Sequence, residues 1–269
     1  MVDPITREVI RGSLEYIAEE MGIVLRNSAY SSNIKERMDH SCAIFDKHGR
    51  MIAQAEHIPV HLGAMPLAVK SVLDEVKDLN EGDMVILNDP YSGGTHLPDI
   101  TIIAPVYFKG ELICFIANRA HHSDVGGKVP GSMPGDAEEI FEEGLIIPPV
   151  KIVSRNRIVP DILKLILKNT RTPKIRKGDI LAQIAANRLG IRRVAEILSK
   201  HGIKEFEDIV SEILNYAERR MLNEINKLPE SEIFEEDFLD DSGKEDKPIR
   251  IRVILKIKKE KIIFDFTET

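Results

Sequence analysis

The 269-residue sequence contains only two cysteines, Cys42 and Cys114, and no tryptophan. Two thiols cannot build the disulfide framework of a small secreted domain or a cysteine-based zinc knuckle. The sequence also lacks an uncharged apolar run of about 18 residues, the length that crosses a membrane. The opening segment MVDPITREVIRGSLEY has no apolar secretory core. We therefore expect a cytoplasmic protein that does not enter a membrane.

Basic residues are fewer than acidic ones, with 37 Lys and Arg against 44 Asp and Glu, for a net charge of −7. A net acidic chain argues against binding to nucleic acid or to anionic lipid, because Lys and Arg dominate both kinds of contact. Hydrophobic residues make up 43% of the chain, which excludes general disorder and permits a sizeable core. Abundant Ile, Lys and Glu are typical of a thermophile.

Hydrophobic periodicity predicts an α+β fold, with a mixed or mainly antiparallel sheet flanked by helices and a β-rich C-terminal tail. Helices are predicted over residues 4–28, 64–77, 160–168, 178–199 and 203–226. A hairpin is predicted in SCAIFDKHGRMIAQ, and further strands over 84–87, 99–108 and 111–119. The tail IRIRVILKIKKEKIIFDFTET predicts two alternating strands.

Two regions are predicted along the chain. Residues 1–229 form an α+β domain with a metal site. Residues 230–269 form an acidic linker followed by a β-hairpin that begins a second region, absent or carried by another chain. A strand at a chain terminus presents an edge that needs covering, so we expect another polypeptide segment to cover the tail.

Three potential metal ligands converge at one end of a predicted hairpin. The strands over 99–108 and 111–119 are joined by Lys109 and Gly110, and residues equidistant from that turn face each other. Asp99 and His121 should therefore lie side by side, and His96 can fold over the same end. Two imidazoles and a carboxylate suit Zn²⁺, Mn²⁺ or Fe²⁺. The alternative is a hydrogen-bonded polar cluster that stabilises loops.

Three further residues are candidates near that site. Asp39 could supply a fourth oxygen ligand, or could be a turn or cap aspartate. His122 follows His121 and would point the opposite way in an extended chain. His122 or Asp124 could orient a ligand or act as a catalytic base.

Motifs for other chemistries are missing. The glycines between 126 and 135 are not part of a GxxxxGK[ST] or GxGxxG pattern, so no ATP site is predicted on this chain. There is no GxSxG nucleophile motif, and Cys114 lies within an apolar strand.

Four segments together resemble the hydantoinase B/oxoprolinase family. They are NDPYSGGTHLPDITIIAPV (88–106), NRAHHSDVGG (118–127), EEGLIIPPVKI (142–152) and GDILAQIAANRLGIRR (178–193). The family includes B subunits of ATP-dependent N-methylhydantoinases, the C-terminal half of 5-oxoprolinases, and subunits of acetone and acetophenone carboxylases. The resemblance extends from residue 3 to residue 269.

The resemblance implies a divalent metal ion held by residues matching Asp39, His96, Asp99 and His121. It also implies an A-type partner subunit that binds ATP and phosphorylates the carbonyl oxygen of a small cyclic amide. Metal-bound water would then open the hydantoin, 5-oxoproline or lactam ring on this chain. Activity is expected only in such a complex.

Family B subunits are usually about twice as long, so we expect a truncated or naturally split member whose C-terminal half is missing or is a separate chain. Two alternatives to a cyclic amidase stay open: a subunit of an ATP-dependent ketone carboxylase, and a non-catalytic assembly subunit.

Overall fold

The computed structural model describes residues 3–55 and 57–269. Six α-helices lie in these ranges: α1 (Pro4–Ser28), α2 (Ser32–Lys35), α3 (Pro59–Glu75), α4 (Pro160–Lys168), α5 (Pro173–His201) and α6 (Ile203–Ile225). The first seven strands are β1 (His40–Asp46), β2 (Met51–Gln54), β3 (Met84–Leu87), β4 (Asp99–Phe108), β5 (Glu111–His121), β6 (Val150–Ser154) and β7 (Arg157–Ile158). The last three are β8 (Ser231–Leu239), β9 (Ile249–Lys258) and β10 (Lys261–Asp265).

Strands β1 to β7 form one antiparallel sheet in the order β2-β1-β5-β4-β3-β6-β7. Alternate residues of a strand face opposite sides, and the two faces carry separate apolar clusters. On one face, residues such as Phe45 and Ile103 pack with Met65 and Val69 of α3. The other face packs against α4 and α5. The predicted α+β fold with an antiparallel sheet is therefore confirmed.

Helix α5 crosses its face of the sheet with a buried polar stripe. Asp179, Gln183 and Asn187 are spaced four apart and so lie on one side of the helix. Asn187 donates to the carbonyl of Ile102 at 2.9 Å, and the Asp179 carboxylate accepts from the backbone N–H of Ser31 at 3.0 Å. Asn187 thus bonds α5 to the sheet, and Asp179 bonds α5 to the connection between α1 and α2.

The chain divides into two compact units, Met1–Pro134 with Glu139–Val210, and Gly135–Glu138 with Ser211–Thr269. In the second unit, β8, β9 and β10 form an antiparallel sheet in the order β10-β9-β8. This corrects the sequence prediction in two respects. Residues 231–239 are a strand rather than linker, because they pair with β9, and the division falls within α6 rather than at 229/230.

Most predicted elements agree with the structure. α3 begins at Pro59 and α5 at Pro173, each five residues before its predicted start. Proline is well tolerated in the first helical turn, where its missing N–H costs no hydrogen bond. The short strands β6 and β7 were not predicted. Among the described helices, none has both the length and the apolar character to span a lipid bilayer.

Candidate metal centre

The β4–β5 hairpin places Asp99 and His121 opposite each other at one end of the main sheet. Asp99 is the first residue of β4, His121 is the last of β5, and the two are Cα partners in the ladder. This confirms the pairing predicted by counting from the turn. His96 precedes β4 in the connection from β3 and folds back over the same end, so that its Nε2 lies 3.2 Å from Asp99 Oδ1.

Three potential ligand atoms form a nearly equilateral triangle. His96 Nε2 lies 3.1 Å from His121 Nδ1, and His121 Nδ1 lies 3.2 Å from Asp99 Oδ1. Ligand bonds of about 2.1 Å separate neighbouring ligand atoms by about 3.0 Å in an octahedron and about 3.4 Å in a tetrahedron. The observed spacings lie within that interval. The donor set of two imidazoles and one carboxylate therefore fits one divalent ion of the Zn²⁺, Mn²⁺ or Fe²⁺ type.

Asp39 and His61 adjoin this triangle. Asp39 precedes β1, and its Oδ2 lies 3.9 Å from His121 Nδ1. Its carbonyl also accepts from the His121 backbone N–H at 3.0 Å, which ties the two residues together. His61, near the start of α3, places Nε2 3.2 Å from Asp99 Oδ2 and 3.6 Å from Asp39 Oδ1. Sequence reasoning missed His61 because nothing in HIPVHL shows which sheet end α3 approaches.

The two carboxylate oxygens of Asp99 have different surroundings. Oδ1 faces His96 and His121. Oδ2 accepts from the Thr95 hydroxyl and contacts Nε2 of His61. Thr95 and His61 thus fix the carboxylate plane and leave Oδ1 directed toward the two imidazoles, as the outer partners of metal ligands commonly do.

Electrostatics at the cluster favour an ionised carboxylate. Burial raises the pKa of Asp99, but hydrogen bonds with His121, His61 and His96 outweigh burial and hold that pKa far below its ordinary value. The hydrogen bond to Asp99 raises the pKa of His96, against the opposing effect of burial. The charged carboxylate is the form that binds a cation.

The segment that carries Thr95 and His96 approaches α3 closely at Gly93. Gly93 has φ of 87°, and its carbonyl accepts from Nη2 of the buried Arg119 at 2.8 Å. A Cβ atom added there would lie 2.2 Å from the backbone nitrogen of Ala68 in α3. Glycine is therefore required both by the left-handed backbone and by the space available.

We expect Gly93→Ala to lower the free energy of unfolding by about 2–3 kcal/mol, from backbone strain and the clash with α3. Gly110→Ala is the matched control, because Gly110 has φ of 84° but has no atom near the added Cβ. Its expected cost is about 1 kcal/mol, from the backbone alone. Urea unfolding measures both, and equal losses would contradict the proposed close packing.

His122 and Asp124 lie outside the cluster, in two other hydrogen-bond networks. The buried His122 ring faces α5, where Nε2 lies 2.9 Å from Oε1 of Gln183, and burial lowers its pKa to about 3. The Asp124 carboxylate accepts from the Arg171 backbone N–H and guanidinium, both at 3.0 Å, and from the Gly131 N–H. These contacts organise the 124–131 loop, and a catalytic role for either residue stays a prediction.

Comparison with known proteins identifies the family of this chain. Residues 3–269 match the hydantoinase B/oxoprolinase family over their whole length. The chain belongs to this family. The predicted resemblance is therefore confirmed.

Three similar family members illustrate its range. An uncharacterised protein from Methanocaldococcus jannaschii is 45% identical over 275 residues, covering 100% of this chain and 48% of that protein. 5-oxoprolinase 1 from Arabidopsis thaliana is 39% identical, covering 94% of this chain and 22% of that protein. The crystal structure of ATP-dependent caprolactamase from Pseudomonas jessenii matches with a TM-score of 0.90 at 33% identity, covering 99% of this chain and 46% of that one. The chain thus spans less than half the length of these relatives.

Proposed function

We propose that this chain is the metal-binding part of a B-type subunit in an ATP-dependent cyclic amidase, a hydrolase that opens the C–N bond of a hydantoin, 5-oxoproline or lactam ring. The observation that carries the proposal is the triangle of His96, Asp99 and His121 atoms with sides of 3.1–3.2 Å. Similarity to 5-oxoprolinase and caprolactamase supports a cyclic amide as the substrate class.

In this proposal His96, Asp99 and His121 hold a divalent ion, and Asp39 completes the ligand set. A bound divalent ion supplies Lewis-acid chemistry, because it lowers the pKa of coordinated water and offsets negative charge on a carbonyl oxygen. The chain's own residues prepare the site for that ion. Thr95 and His61 orient the Asp99 carboxylate, and the Ser41 hydroxyl lies 3.3 Å from His61 Nδ1 on the far side of that ring.

The proposal includes two partners. An A-type subunit binds ATP and phosphorylates the amide oxygen, which overcomes the resonance that makes amides resistant to hydrolysis. A further segment, in the same or a separate polypeptide, supplies the half of the relatives that this chain does not span. No ATP-binding motif occurs on this chain, consistent with ATP on the partner.

The test is to reconstitute the chain with its A-type partner and the C-terminal half, and to measure ATP hydrolysis with 5-oxoproline, caprolactam or hydantoin. We expect ring opening coupled to ATP hydrolysis, lost in His96→Ala while the complex still assembles. ATP turnover that requires bicarbonate and a ketone would instead identify a carboxylase. An assembled complex whose activity survives His96→Ala would support the assembly role.

Metal affinity should depend on pH in a defined direction. His96 must lose its proton to bind a metal, and its pKa is raised above the ordinary value of 6.5. As the pH falls through that raised pKa, protons compete for Nε2, so affinity should begin to fall at a pH above 6.5. Calorimetric titration with Zn²⁺ or Mn²⁺ across the pH range measures this. A metal affinity that stays constant down to a pH well below the ordinary histidine pKa of 6.5 would contradict this prediction.

A further inference from the structure

A pocket separate from the cluster of His96, Asp99 and His121 lies on the opposite side of β1. It has a volume of about 290 Å³ and is lined by α1, by the segment leading into β1 and by the segment before α3. Successive strand residues point to opposite faces: Ser41 contacts His61 of the cluster, whereas His40 packs edge-on against His57, with ring centroids 5.0 Å apart. The pocket is therefore separate from the cluster, although the chain around residues 39–41 and 57–61 contributes to both.

Hydrogen-bond donors converge on this pocket. His40 is 3% exposed, and neither of its ring nitrogens has a partner among the described residues. Nδ1 of His57 accepts from the Cys42 backbone N–H at 3.1 Å, so the neutral ring carries its proton on Nε2. Gly22 of α1 leaves room for that nitrogen, since an added Cβ would lie 2.7 Å from it. A buried imidazole without a partner is costly unless a ligand or water satisfies it.

Charged groups of both signs complete the wall. Arg26 and Arg37 line the pocket, and within the described ranges neither guanidinium pairs with a carboxylate. The polar contact of Arg26 is with Met38 Sδ at 3.4 Å, a weak acceptor. Glu19 lies two helical turns before Arg26 on the same face of α1 and is the acidic residue of the described wall.

This combination matches the product of the proposed reaction. Hydrolysis of a lactam or of 5-oxoproline adds one water across the amide C–N bond, breaks that bond, and leaves a carboxylate and an amine in one molecule. The amine takes up a proton at neutral pH and becomes an ammonium. Guanidinium groups recognise carboxylates in a fork geometry, and a glutamate pairs with an ammonium.

We propose that this pocket binds the ring-opened amino acid, with its carboxylate at Arg26, Arg37 and His40 and its ammonium at Glu19. The assignment rests on the proposed amidase function for the identity of the ligand, but binding itself requires neither ATP nor the metal. Since Asp39 adjoins His40 and His61 follows His57 by four residues, an amino acid held here would lie across β1 from the proposed centre.

Calorimetric titration of the full chain with 6-aminohexanoate, L-glutamate, hexanoate and inorganic phosphate tests the proposal. We expect saturable binding of at least one amino acid, weakened about tenfold by Arg26→Gln or Arg37→Gln through loss of a charge-assisted hydrogen bond. Glu19→Gln should weaken binding of that amino acid and leave hexanoate unchanged. Lys35→Gln, an exposed change on α2, is the matched control, and circular dichroism checks the fold of each variant.

Three results would overturn the proposal: no saturable binding of either amino acid, binding unaffected by both arginine substitutions, or phosphate bound more tightly than the amino acids. Metal binding, measured separately in the same variants, distinguishes this failure from failure of the metal centre. If the chain binds metal but no amino acid, only the proposed amino-acid site is contradicted. If the chain binds an amino acid but no metal, the amino-acid site is supported and the proposed amidase centre is contradicted.

Discussion

Replacing His121 by alanine is expected to weaken binding of a divalent ion at least about 100-fold. Loss of outer-shell partners alone typically costs 10–100-fold, so loss of a ligand should cost more. The substitution removes Nδ1, which lies 3.1 Å from His96 Nε2 and 3.2 Å from Asp99 Oδ1. Two ligand atoms of the triangle would remain. Competition with a chromophoric chelator, using Zn²⁺ at neutral pH, measures the affinity of each protein.

His48→Ala is the matched control for that experiment. His48 is exposed in the turn between β1 and β2. Its backbone N–H donates to Asp46 Oδ1, a bond that does not involve the imidazole ring. Its removal should leave the metal affinity unchanged. If His48→Ala and His121→Ala reduce affinity equally, the ion binds nonspecifically to histidines, and the proposed centre is wrong.

Replacing Gln183 by leucine is expected to lower the free energy of unfolding by about 3–5 kcal/mol, because three buried polar groups lose their partner. The Gln183 amide donates to the Ile100 carbonyl at 2.8 Å and to Asn118 Oδ1 at 2.9 Å, and its Oε1 lies 2.9 Å from His122 Nε2. Leucine fills a similar volume, so the loss reports hydrogen bonds rather than a cavity. Urea unfolding gives the difference.

The sequence provides its own control, since Gln54 is its only other glutamine. Gln54 is exposed at the end of β2, a strand at the edge of the sheet. Gln54→Leu should change the free energy of unfolding by less than about 0.5 kcal/mol. A small loss for Gln183→Leu as well would show that the polar stripe of α5 contributes little to stability.

The sequence predicted the relative positions of Asp99 and His121, because a local rule sets the geometry of a hairpin. Asp99 and His121 are brought together by a two-residue turn, and counting from that turn gives their register without further information. His96 lies three residues before Asp99 and is therefore restrained to the same end. Local connectivity therefore sets the approximate positions of His96, Asp99 and His121 at one end of the β4–β5 hairpin.

His61 could not be predicted in the same way. Its contact with Asp99 depends on how α3 packs across the sheet, and that packing comes from apolar side chains such as Met65 and Val69. Likewise, β8 carries several acidic residues and resembles an exposed linker in the sequence, but pairing with β9 makes it a strand. Tertiary contacts override local composition in both cases.

The motif residues of the family resemblance fall into two groups in the structure: those that support the fold, and those of the candidate metal cluster. Gln183 and Asn187 hold α5 to β4 and β5 through buried amides, and Asn88 joins the His96 segment to Ile147. These positions support the fold around the site. A sequence motif alone does not separate such supporting residues from candidate metal ligands, because both are polar.

The central claim is that His96, Asp99 and His121 together hold one divalent ion. X-ray absorption spectroscopy of the full chain loaded with Zn²⁺ or Mn²⁺, combined with elemental analysis, tests it most directly. We predict one ion per chain with two imidazole groups among its ligands at about 2.0–2.2 Å, and loss of that signal in a His96→Ala, His121→Ala double variant. Substoichiometric metal, or a first shell without histidine, would contradict the account.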